Sequence, residues 1–188
     1  MANDLQRIDL KVLLDGPRRP QLDSILTAFD RWRQEKDAPS DWVDLADYAH
    51  MQQGPAVMMA GKREHVSVDT NEPGPGILVQ TRNLAGSIEE RFAEAFRRHL
   101  TLAKRLVNEP EWPKDLSDPG GDWIISINDR LNFPNTEESD KALREGLVAL
   151  LDKLFTGGYD LERDTDPQRR LSYRLRAEGN PSLADLRP

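Results

Sequence analysis

The sequence predicts an α+β fold, a two-layer domain with a mostly antiparallel sheet of about eight strands and three helices on one face. Three observations predict it. Between Trp42 and Arg82 four short strand-like runs follow one another, separated by Gly54-Pro55, Gly61-Lys62-Arg63 and Pro73-Gly74-Pro75-Gly76. Three longer segments repeat apolar residues at helical spacing. The connections are too short for parallel crossovers inside the meander, so its neighbours run antiparallel.

Taken in order, Arg7 to Leu14 alternates Ile8, Leu10, Val12 and Leu14 with Asp9 and Lys11, the period of a half-buried strand. Asp15-Gly16-Pro17 ends it. A helix is expected over Gln21–Lys36, its core stripe formed by Leu22, Ile25, Leu26, Phe29 and Trp32. In the meander, Val43 and Leu45 alternate with Asp44 and Ala46, and Ala56–Ala60 is apolar throughout, which predicts the meander's most buried strand. Val66 and Val68 then oppose His65, Ser67 and Asp69, while Ile77 and Val79 oppose Leu78, Gln80 and Arg82.

Ser87-Ile88-Glu89-Glu90 is a capping box, opening a helix to about Val107. A loop rich in proline, glycine and aspartate follows over 108–121, then a strand with Trp123, Ile125 and Ile127 inward. Asn135 or Thr136 caps a third helix, with Leu143, Leu147, Leu150, Leu151 and Leu154 at core spacing and Gly157-Gly158 as its stop. Tyr159–Arg163 and Arg170–Arg176 read as a hairpin centred on Asp166, which sets Tyr159 opposite Tyr173, Leu161 opposite Leu171 and Glu162 opposite Arg170. Residues 1–178 are expected to form one α+β domain, with 179–188 as a loose C-terminal tail. The order strand–helix–strand–strand occurs twice, over 7–60 and 122–176, a topological pseudo-repeat with little residue identity.

Composition removes several functions. Net charge is −7 with a pI near 5.1, which argues against bulk binding to nucleic acid or anionic membrane. There is no cysteine, so disulfides, thiolate metal sites and a cysteine nucleophile are excluded. No leader pattern or membrane-spanning run is legible, and a cytoplasmic address is the expectation. The runs VDLADYAH, GPAVMMAGKREHVSVD, SINDRLNFPNTEES and YDLERDTDPQRRLSYRL resemble those of a bacterial protein family of unassigned function. The resemblance spans nearly the whole chain and implies a compact α+β domain. It brings no catalytic residues with it.

Candidate chemistry is sparse. Gly54 to Gly61-Lys62-Arg63 has the wrong interval for a phosphate loop, lacks its Ser/Thr and leads to a strand. No G-x-S-x-G elbow occurs, since Ser67 and Ser126 lie inside strand patterns. His99 sits in the stripe of the second helix, as a core histidine does. His50 and His65 flank the apolar strand near Asp47, Glu64 and Asp69, but without HxH or HExxH spacing. No metal and no cofactor are expected. The remaining candidate is the non-core phase of the strands, where His65, Asp69, Arg82, Asn128, Arg130 and Arg174 are the expected ligand-binding residues. An antiparallel sheet also shows such a face simply to water. The expected function is a non-catalytic cytoplasmic interaction or assembly protein, with a protein partner or self-association, no nucleic acid and no membrane insertion. The alternative is a small enzyme or binder of a small anionic ligand on the polar face. A concave, enclosed pocket there favours the alternative; a flat or convex face favours the first reading.

Overall fold

Period-two alternation and tight turns make strands, and the 3.6-residue stripes make the helices that cover them. The computed structural model describes residues 5–18, 20–35, 41–48, 51, 55–117, 120–179 and 181–187. Its elements are β1 (Ile8–Leu13), α1 (Asp23–Gln34), β2 (Trp42–Asp47), β3 (Pro55–Gly61), β4 (Glu64–Asp69) and β5 (Gly76–Thr81). There follow α2 (Ile88–Val107), β6 (Asp122–Ile127), α3 (Glu137–Leu154), β7 (Tyr159–Arg163) and β8 (Ser172–Ala177). All eight strands join one antiparallel sheet in the order β2-β3-β4-β5-β1-β6-β8-β7. The three helices form the second layer.

One contiguous core lies between the layers. The sheet contributes Leu10, Val66, Val79, Ile125 and Tyr173 from one phase of its strands; the helices contribute Phe29 and Trp32, Phe92 and Phe96, and Leu147 and Leu151. Each such side chain stabilises by roughly 1.5–3 kcal/mol through area removed from water. The predicted capping box is present: Glu90 N donates to Ser87 Oγ at 3.3 Å, and Ser87 N to Glu90 Oε2 at 2.7 Å. Thr136, of the two candidates, caps α3 by accepting from Ser139 N. Asn135 instead turns to the β7–β8 loop, donating through Nδ2 to Asp164 O and Asp166 O at 2.8 Å each.

The two strand–helix–strand–strand units share a plan. In the second, β6 pairs with β8, and β7 lies outside. In the first, β1, β3 and β2 keep that order, with the β4–β5 hairpin inserted between β1 and β3.

Three expectations change. Within the meander β4, not β3, is the most enclosed strand, with five of its six residues buried. The reason is position, since β3 is next to the edge strand β2. In the C-terminal hairpin the phase stands, with Leu171, Tyr173 and Leu175 buried, but the register differs. Leu161 meets Leu175 and Glu162 meets Arg174, four residues beyond Leu171 and Arg170. A shift by an even number keeps every side chain on its own face, so burial alone does not choose between the two. The loop does: Asn135 binds the carbonyls of Asp164 and Asp166, and the chain turns at Asp166–Arg169, where Arg169 N donates to Asp166 O at 3.0 Å, so the hairpin is centred on Gln168 and not on Asp166. Finally, the stretch read as a loose tail is packed. Leu183 and Leu186 are buried in the core, and Lys104 Nζ donates to Leu186 O at 2.7 Å.

Candidate functional site

The sheet face away from the helices is built by register. One row crosses the strands as Ala46, Met58, Ser67, Leu78, Lys11, Ile124, Arg174 and Glu162. The next runs Ala60, His65, Gln80, Asp9, Ser126 and Ser172. None of the three described helices lies on this face, yet Asp9, Lys11, Ser67 and Asp69 are each under a tenth exposed. Half-buried Met58 and Leu78 flank Ser67 across the strands, and Leu78 and Ile124 flank Lys11.

Two polar clusters result. Lys11 leaves β1, crosses Gly76 of β5 and reaches β4, where Nζ donates to Asp69 Oδ2 at 2.6 Å and to Asn71 O at 2.9 Å. Gly76 makes the passage: a Cβ there would sit 2.6 Å from Lys11 Cε and 2.5 Å from Val12 O. Burial pulls the Lys11 ammonium below its ordinary pKa, and Asp69 only partly offsets this. Asp69 Oδ1 in turn accepts from Asn71 Nδ2 at 2.6 Å, which fixes the β4–β5 turn. In the second cluster Asp9 Oδ2 accepts from Gln80 Nε2 at 3.2 Å, Asn128 Nδ2 at 3.0 Å and Arg170 at 3.4 Å. Burial raises the Asp9 pKa against those donors.

Next to the clusters is an open cleft of about 530 Å³. Ile124, Ser172 and Arg174 form its floor; Glu72 and Pro73 of the β4–β5 turn form one wall, and residues 162–165 with Arg169 form the other. Both walls are tethered, one by Lys11 to Asn71 O, the other by Arg170 to Asp9 and by Asn135.

Of the six expected site residues, Arg174 alone lines this cleft. It is held in a forked pair by Asp122, at 3.1 and 2.7 Å. Arg82 donates to His65 Nε2, and burial with that guanidinium lowers the His65 pKa. His65 is therefore the neutral acceptor of an arginine. Asn128 serves Asp9, and Asp69 holds Lys11. Arg130 is exposed past the end of β6. Among the described residues no three His, Asp or Glu side chains are grouped to hold a metal; His50 lies outside them. His99 is fully buried, donating from Nε2 to Ile77 O at 3.0 Å with its ring 4.7 Å from that of Trp123.

Sequence reasoning missed Asp9 and Lys11 as the centres of the two clusters, and the cleft walls Glu72, Asp164 and Arg169. The available signal is Gly76, which by sequence alone reads as a turn residue. No helix among the described residues is long and apolar enough to cross a membrane. No protein-family model matches the chain, and no curated protein matches it in sequence, so the resemblance stated above rests on its quoted runs alone.

Proposed function

We propose that this chain is a non-catalytic cytoplasmic binding protein that receives a segment of a partner protein on its open sheet face. One observation carries the reading: the cleft lies on the sheet face over Ile124, Ser172 and Arg174, between loops that are already tethered, and is bordered by Glu162 and Arg163 of the edge strand β7. Preformed walls lower the ordering cost of binding. The arginines argue the same way. Arg174 is occupied by Asp122, Arg170 by Asp9, and Arg176 lies 3.6 Å from both Asp160 and Glu162. An anionic ligand would have to displace carboxylates already in place.

The second reading, a small-ligand site or small enzyme, is favoured by one feature. The cleft volume of about 530 Å³ falls in the range of small-molecule pockets. The two separate in one experiment. Affinity capture from the native host with quantitative mass spectrometry is expected to recover a protein that Ile124→Glu loses and the exposed control Lys62→Glu keeps. A stoichiometric small molecule in native mass spectra, with captured proteins indifferent to Ile124→Glu, would replace the first reading by the second.

A further inference from the structure

Glu162 and Arg163 of β7 border the cleft, and the backbone of β7 defines what can bind along that edge. Asp164 N donates to Ser172 O at 3.0 Å and Glu178 N donates to Gly158 O at 2.9 Å. Both bonds belong to the ladder that pairs Asp160 with Arg176 and Glu162 with Arg174. In an antiparallel ladder the direction of N–H and C=O alternates residue by residue. The even-numbered residues of β7 therefore bond to β8, and Tyr159, Leu161 and Arg163 point their N–H and C=O groups out of the sheet. β7 is the last strand on that side.

The other edge is different. The β2–β3 ladder shifts register between Trp42 and Asp44, which leaves Val43 in a bulge, 62% exposed. A bulge twists an edge away from further pairing. The β7–β8 register is unbroken over all five residues of β7.

Side chains then choose the occupant. On the outer face β7 presents Asp160 and Glu162, whose side chains are 71% and 67% exposed and share the single guanidinium of Arg176. On the inner face Tyr159 and Leu161 are half-buried. A second copy of this chain is a poor match. Antiparallel self-pairing centred on Leu161 sets Asp160 of each copy opposite Glu162 of the other, two like-charge pairs at once.

We propose that the β7 edge takes up an extended partner segment in which cationic and apolar residues alternate, adding a ninth strand to the eight-stranded sheet. Its cations face Asp160 and Glu162, its apolar residues continue the row of Leu161 and Tyr159, and its backbone pairs with Tyr159, Leu161 and Arg163. The inference rests on the protein-binding reading of the outer face and gives that partner its chemistry.

The test uses the full chain and two synthetic peptides, one alternating lysine with valine and one alternating glutamate with valine. Fluorescence anisotropy is expected to show saturable binding of the lysine peptide only. Asp160→Lys with Glu162→Lys should weaken it by about tenfold and bring the glutamate peptide into range. Residue-resolved amide exchange gives a second readout: the lysine peptide should protect Tyr159, Leu161 and Arg163, with the even residues of β7 unchanged because β8 already protects them. Binding indifferent to the charge reversal, or protection that ignores the odd–even pattern, overturns the edge inference, as does absence of binding. Capture of a partner that depends on Ile124 but not on Asp160 and Glu162 would also overturn it, while leaving the proposed function in place.

Discussion

The two sides of β1 are the sharpest contrast in the molecule. Ile8, Leu10 and Val12 face the helices; Asp9 and Lys11 face away; all five are buried. The inner three need only volume and area, since any well-packed apolar neighbours remove them from water. The outer two need particular partners at particular places. Lys11 requires Asp69, the Asn71 carbonyl and the missing Cβ of Gly76. Asp9 requires Gln80, Asn128 and Arg170, drawn from three separate segments of the chain. The contrast teaches that the outer face of this sheet is a second, polar interior, and that its stability rests on pairing.

The largest expected effect follows from breaking one pair. Both side chains of the Lys11–Asp69 bridge are 6% exposed. Asp69→Ala would leave a buried ammonium without its counter-ion, a loss of about 3–5 kcal/mol. Lys11→Met in the same chain should restore most of it, because replacing both members of a buried pair by apolar groups is nearly neutral. Denaturant midpoints of the single and double variants measure this. A wild-type midpoint for Asp69→Ala would mean that water reaches Lys11 freely and that the outer face is an ordinary surface.

Acid sharpens the comparison, because the two sides titrate in opposite senses. His99 packs on the inner side under Trp123, and burial pushes its pKa down to about 4 against an ordinary value near 6.5. A base with a depressed folded pKa contributes its full stability above pH 6.5 and loses it as pH falls toward 4. The loss is about 3 kcal/mol by linkage. Asp9 on the outer side has a raised pKa, so its contribution is present in acid and is lost as pH rises through its folded pKa. Replacing His99 by Leu should flatten the stability profile between pH 6.5 and 4, and Asp9→Asn should steepen the acid decline. Urea midpoints across that range decide it; an unchanged slope in His99→Leu would assign the acid response to the carboxylates.

Much of the fold was legible because alternation reports phase. Ile8, Leu10, Val66, Val79 and Ile125 were placed on the core side by counting in twos, and Ser87 with Glu90 announced the start of α2. Phase does not report depth. Asp9 and Lys11 read as solvent positions because nothing local says that β1 lies between β5 and β6, which a chain segment far downstream decides. The same limit explains the candidate site. His65, Asp69, Arg82 and Asn128 share the outer face as expected, but they spend their hydrogen bonds on one another and on β1. The cleft is bordered instead by loop residues whose positions depend on Asn135 and Arg170, contacts of 29 and 161 residues' separation.

The smallest effect tests whether the outer face also orders the loop above it. Arg170 Nη1 lies 3.4 Å from Asp9 Oδ2, but its own side chain is half exposed. Water screens such a pair, so Arg170→Gln should cost less than about 1 kcal/mol of global stability. The local consequence is larger than the global one. Without Arg170 the segment from Asp164 to Leu171 keeps its anchor at Asn135 and loses its anchor on the sheet. Amide exchange there should accelerate while the β1 and β6 amides stay protected, since loop opening and global unfolding are separate events. Equal protection of the loop in Arg170→Gln and wild type would show that Asn135 alone holds the cleft wall. The outer side of β1 would then be a polar interior with no hold on the site beside it.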